Sequence, residues 1–192
     1  MLGQGVPKTY TTWNPSDKGA GMVLSGSNLV VTTTGGFFQK VRATIGKSSG
    51  KWYWEVSLSG TTGGFEAGIA IGGTATTTEL GDSGAIYEEI GFLGVSGTTV
   101  YSKTAGTATV ISGASGFSSG DIMGFALDMD AKTIRIYKNN TLFADNIGAN
   151  LLTNTYYPAV GTRAGGEVYT ANFGASAFVY TPPSGFNAGV YL

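Results

Sequence analysis

The chain has no cysteine and no histidine. The first absence excludes disulfides and thiolate metal sites, so the fold stands on burial and hydrogen bonding alone. The second removes the side chain most used for proton transfer near neutral pH, and with cysteine gone no thiol nucleophile exists. Charge is scarce: 12% of residues are charged and the formal net charge is -1. Phosphate neutralisation therefore has no electrostatic basis, and nucleic acid is not expected as a partner. Long hydrophobic runs are missing too. Nothing approaches the ~20 apolar residues of a spanning helix, and Met1 to Ala20 contain no apolar core of leader length. The expectation is a soluble protein without an ordinary cleaved leader or membrane insertion.

What is present is glycine and alternation. Thirty-two glycines against five prolines, spread over 192 residues, mark many tight turns between short elements. The 42% hydrophobic content suffices for one domain with a substantial core. From Met22 onward apolar residues recur at spacing two, which puts alternate side chains on one face of a strand. Trp52, Trp54, Val56 and Leu58 fall on one face, with Tyr53, Glu55 and Ser57 on the other; Phe65, Ala67, Ile69 and Ile71 repeat the pattern. Further strands are predicted near Leu29–Thr32, Phe37–Thr44, Ile90–Val95, Thr98–Lys103, Ile122–Leu127, Thr133–Tyr137, Thr141–Ala144, Tyr157–Gly161 and Glu167–Phe173.

Lys138-Asn139-Asn140-Thr141 reads as a two-residue hairpin, because asparagine tolerates positive φ. Asp145 to Leu152 is the one stretch with room for a helical turn. Many short strands without crossover helices predict an all-β, antiparallel two-sheet sandwich, with a closed barrel as the alternative. Gly72 to Glu89 and Thr104 to Asp121 do not resolve into strands and are predicted as long surface loops, the first places to look for binding.

Two segments carry a resemblance: Trp52-Tyr53-Trp54-Glu55-Val56-Ser57, and Leu127-Asp128-Met129-Asp130. They resemble the Trp-Glu-Val-Glu and Leu-Asp-Tyr-Glu signatures of the SPRY (B30.2-like) domain, with Ser57, Met129 and Asp130 as departures. Thr12–Lys18 with Leu24-Ser25, Ala67–Ala70, Tyr156–Gly161, Ala171–Gly174 and Pro182–Phe186 resemble further pieces in that family's order. The resemblance covers roughly residues 12–187, leaving 1–11 as an arm and 188–192 as a tail. It implies a concanavalin A-like jelly roll and a recognition module rather than an enzyme.

The Leu-Asp-Pro signature of longer PRY-SPRY proteins is absent. The Asn14-Pro15-Ser16-Asp17-Lys18 opening and the Tyr180–Phe186 exit are similar to free-standing versions in bacteriophage proteins. That implies a virion part, such as a fibre, a tail or neck appendage or a capsid decoration. Its partner would be another virion subunit or a host-surface glycan, and its copies a homotrimer or lattice-bound. A free carbohydrate-binding lectin is the second reading, and a carboxylate-only glycosidase the third.

For chemistry the candidates are few, and no cofactor or metal is expected. Glu88 and Glu89 are adjacent, so on a strand they point to opposite faces and cannot flank one glycosidic bond; a solvated loop end is the plainer reading. Asp128 and Asp130 suit a hairpin corner better than calcium, which wants six or more oxygens. Glu55, off the core face, needs a partner such as Arg42 or Lys40. Candidate partner contacts are Arg163, Tyr87, Glu88, Tyr101, Phe117 and Trp13. Arg163 is one of three arginines and lies in a glycine-rich turn, where its planar fork of donors can reach a carboxylate or a hydroxyl.

Overall fold

The alternating runs become strands and stack as two sheets. The computed structural model describes residues 7–35, 38–60, 64–82, 84, 88–94, 100–104, 107–111, 116–147 and 151–192; for 100–106, 108–111 and 146–147 no side chain is described. The strands are β1 (Trp13–Lys18), β2 (Met22–Ser25), β3 (Val30–Thr33), β4 (Gln39–Ala43), β5 (Lys51–Gly60), β6 (Phe65–Ile71), β7 (Glu89–Gly94) and β8 (Val100–Thr104). They continue with β9 (Thr107–Ile111), β10 (Ile122–Asp128), β11 (Thr133–Lys138), β12 (Thr141–Ile147), β13 (Tyr156–Thr162), β14 (Glu167–Asn172) and β15 (Asn187–Ala188).

The first sheet has the order β1-β4-β13-β6-β7-β8-β9, and the second β12-β11-β10-β5-β14-β3-β2. Every pairing along both sheets is antiparallel; β15 joins β5 in parallel. No helix occurs among the described residues.

One face of each sheet makes a single core, in which Trp54, Val56 and Leu58 of β5 meet Phe65, Ala67 and Ile69 of β6. The Trp54 and Phe125 rings are stacked 5.2 Å apart. Tyr169 ties the layers: its hydroxyl, carried on β14, donates to Gly161 O at 2.6 Å and accepts the Glu66 N–H at 2.9 Å. Burial raises the Tyr169 phenol well above its ordinary value, so it remains a neutral donor.

Two sequence expectations change. Thr104 to Asp121 contains β9, paired to β8 from Val100–Ile111 to Thr104–Thr107, so its first part is a hairpin rather than a loop. Asp145 to Leu152 holds no helical turn among its described residues, because β12 runs to Ile147 along β11. The Asn139-Asn140 turn is as read, with φ of 48° and 65°. Residues assigned to an arm and a tail are joined to each other: Thr11 N donates to Val190 O at 2.9 Å, Leu192 N to Thr9 O at 3.0 Å, and Val190 lies in the core.

Candidate functional site

Two predicted partner contacts are corrected by burial. Trp13 opens β1 facing inward, fully buried, with its indole N–H on Leu29 O at 3.2 Å and its ring edge-on to Phe173. Phe117 is drawn in because residues 118–121 fold back onto β5. Gly120 N donates to Leu58 O and Leu58 N to Asp121 O, which sets the ring against Phe143 and against Gly94, where a Cβ would lie 2.4 Å from it.

Tyr87 lies outside the described residues, and Tyr101 is described only as backbone, paired with Leu93 and Val110. Glu88 and Arg163 are at the surface but apart. Glu88 borders a groove of about 400 Å³ with Ile71, Thr74 and Gly84, beyond the last residue of β6. Arg163 follows Thr162, which pairs with Phe65, the first residue of β6. At ~3.3 Å per residue those ends are about 20 Å apart, so one small ligand cannot touch both.

Within the predicted binding loop Gly72 to Glu89, segment 74–82 packs onto the outer face of the first sheet, where it covers a layer of charge. Lys40 pairs with Glu89 at 2.7 Å, both fully buried, and also donates to Thr78 Oγ1 and Glu79 O. Burial lowers the Lys40 ammonium below its ordinary value, opposed by the Glu89 carboxylate. Arg42 forks onto Asp17 at 2.8 and 2.6 Å and holds Thr74 through its side chain and carbonyl. Glu66 Oε2 accepts the Leu80 N–H at 3.2 Å, Glu89 Oε2 accepts the Gly81 N–H at 3.0 Å, and Glu79 pairs with Arg163 Nε at 2.6 Å.

The sheet receives the loop because its outer face is small. At Gly91 a Cβ would meet Leu80 O at 2.1 Å, and Leu80 packs on Ala70 and Ala159. Glu89 is thus no solvated loop end, and neither Lys40 nor Arg42 serves Glu55.

Glu55, in the signature strand, holds the C-terminal segment instead. It accepts the N–H groups of Val179 and Tyr180 at 2.9 Å each and the Tyr53 hydroxyl at 3.1 Å, while Phe178 packs edge-on to Tyr53. Burial first, then Glu55, raises the Tyr53 phenol well above its usual range. Asp128, in the second signature, is a corner. Its Oδ1 accepts N–H bonds from Asp130 and Ala131, and Lys51 sits 2.9 Å from its Oδ2. Burial opposes the charge, yet the Ala131 N–H and Lys51 hold this carboxylate below its ordinary value. Among the described residues no cluster of carboxylates is arranged around a metal.

The end carrying Arg163 also presents Phe38, which the sequence reading passed over. Phe38 is 39% exposed and held at φ 57°, a rare conformation for a bulky residue. The β4–β13 ladder ends on the pair of Gln39 with Thr162, so Phe38 and Arg163 each lie one residue beyond it at the same end of the sandwich. The turns touch: at Gly165, φ 85°, a Cβ would lie 2.5 Å from Gly35 N. Arg163 is 40% exposed, its stem against Gly64, with only Nε engaged among the described residues. This end offers an exposed aromatic ring and a part-exposed guanidinium, each just beyond the last pair of the β4–β13 ladder.

A family model described as the SPRY domain matches residues 51–176, two thirds of the chain. The chain belongs to the SPRY domain family. Solved SPRY structures share the fold: the TRIM65 PSpry domain has 17% identity and a TM-score of 0.65, over 85% of this chain and 92% of that one. The SPRY domain of human HERC1 has 18% identity and a TM-score of 0.62, over 82% and 96%. Stonustoxin is similar at 23% identity and a TM-score of 0.63, with 85% of this chain covered and 27% of that one. Comparison with curated proteins finds no match. SPRY domains are protein-binding modules, and this SPRY domain uses its two signature carboxylates for architecture: Glu55 fastens the C-terminal segment and Asp128 the β10–β11 corner.

Proposed function

We propose that this SPRY domain is a non-enzymatic binding module whose protein partner docks at the end carrying Phe38 and Arg163, and that its setting is a bacteriophage particle. The observation that carries the docking face is Phe38: an exposed aromatic ring kept at positive φ at the same end as a half-exposed arginine. Rigid aromatics and arginine are the residue types that dominate protein–protein contacts. The chemistry asks for a partner with an apolar side chain next to a carboxylate.

The phage setting rests on the resemblance of the Asn14–Lys18 opening and the Tyr180–Phe186 exit. In such a particle the partner is another virion subunit, with copies arranged as a trimer or on a lattice. A protein partner is favoured over a glycan because the rings of the other surface aromatic cluster already carry ammonium groups. Lys47 lies 3.7 Å over Trp52 and Lys8 3.9 Å over Tyr191, which leaves less open face for a sugar. Mass spectrometry of purified particles tests the setting. The chain is expected at a fixed copy number per particle. Its recovery only from the soluble lysate contradicts the reading, and strong glycan-array binding would favour a lectin instead.

A further inference from the structure

The charge layer under segment 74–82 has one carboxylate too many. Three cations face it: Lys40 and Arg42 from β4, and Arg163 from the β13–β14 turn. Each has its own acid, Glu89 from β7, Asp17 from β1 and Glu79 from the covering segment. Glu66, from β6, is fully buried and has no cation of its own among the described residues. Its Oε2 takes the Leu80 N–H, and its Oε1 finds no donor. Glu79 directly precedes Leu80, whose N–H Glu66 accepts, so the two buried carboxylates are neighbours, and they can share a hydrogen bond only if one of them carries a proton. Beneath, β14 contributes Tyr169, a neutral phenol, and Glu167, whose Oε2 takes the Thr33 and Thr162 hydroxyls.

We infer that Glu66 and Glu79 form a buried proton-binding site whose shared proton holds segment 74–82 on the outer face of the first sheet, and that loss of this proton releases the segment. The device shares Arg163 with the docking reading but is read out with no partner present. With the proton in place Glu66, Glu79, Glu89 and Asp17 balance Lys40, Arg42 and Arg163; without it, two adjacent buried carboxylates share one guanidinium, and the segment that brings Glu79 and the Leu80 N–H is the movable partner.

The direction follows from linkage. In the closed state burial, then the Glu79 charge, raises Glu66 well above the ordinary carboxyl value. Once the segment lifts, Glu66 meets water and returns to about 4.3. The closed state then holds a proton that the open state lacks at every pH between those two values. Closure is fully favoured below the ordinary value and is lost as pH rises through the raised one. Across that interval the opening constant rises about tenfold per pH unit, and it is flat on either side.

Hydrogen exchange of the intact protein, corrected for the intrinsic pH dependence of amide exchange, reads this at the Leu80 and Gly81 amides, with β5 and β10 amides as internal reference. Protection at 80 and 81 is expected to fall by up to tenfold per pH unit above about 4.3 while the reference amides hold. Glu66→Gln, which needs no proton to donate to Glu79, is expected to remove the slope. Carbon-13 NMR of the Glu66 carboxyl in the unaltered chain gives a second readout that needs no variant to fold, with a titration midpoint well above the ordinary value expected. A flat profile in the unaltered chain, the same slope in Glu66→Gln, or an ordinary Glu66 titration overturns the proposal.

Discussion

Replacing Tyr169 by phenylalanine removes one oxygen and leaves the ring where it is. The ring is edge-on to Phe65, 5.9 Å between centroids, and its packing carries over. Two backbone groups lose their partner, the Glu66 N–H and the Gly161 carbonyl, which the hydroxyl joins to the other sheet from β6 and β13. A buried group left unsatisfied costs about 1–3 kcal/mol, and the pair is not fully additive, so the expected loss is about 2–4 kcal/mol. With a urea slope of about 2–3 kcal/mol per molar, the midpoint drops by roughly 1 M with the slope unchanged. Urea unfolding followed by tryptophan fluorescence measures it. A loss under about 0.5 kcal/mol would refute the reasoning, since it would mean that water or a shifted strand satisfies both groups at no cost.

Glu55→Gln trades a carboxylate that accepts two backbone N–H bonds for an amide whose NH₂ opposes one of them. The expected cost is about 1.5–3 kcal/mol, with hydrogen exchange at Val179 and Tyr180 rising before that of β5; unchanged protection there means that Phe178 alone holds the segment. Lys40→Met strands Glu89 without its cation and is expected to cost about 3–5 kcal/mol in chemical denaturation, while adding Glu89→Leu restores most of it. A single and a double variant of equal stability would show that Glu89 is solvated rather than buried.

The strands were legible because a core on one face enforces period two, as in Trp54, Val56 and Leu58, and the Asn139-Asn140 turn because few residues accept its φ values. Faces that are covered rather than exposed were not legible. Lys40, Arg42, Glu66 and Glu89 alternate with core residues, a pattern that does not show that segment 74–82 closes over them. The signal was there in Gly68, Ala70 and Ala159, small residues at outward positions, which mark a surface that something packs on.

Trp13 and Phe117 failed for the converse reason: their place near strand ends suggested exposure, but large rings at the rim of a sandwich plug it. Phe38 was read as ordinary strand, and only its positive φ, invisible in the sequence, sets it apart. That Arg163 can reach a carboxylate was legible, as a rare arginine in a glycine-rich turn. Its attachment to a buried acid from a loop 84 residues earlier was not.

The central claim, that this SPRY domain grips a protein through Phe38 and Arg163, is tested most directly by retention on particles of the unaltered chain, Phe38→Asp and Arg163→Ala, quantified by mass spectrometry. Aspartate tolerates positive φ better than phenylalanine, so Phe38→Asp leaves the turn intact while removing the ring. Each substitution is expected to lower occupancy at least tenfold, a loss of about 1.4 kcal/mol or more, with the unfolding midpoint of Phe38→Asp near that of the unaltered chain and that of Arg163→Ala lower, because it strands the buried Glu79. Full occupancy of both variants would contradict the account and move the interface elsewhere on the sandwich.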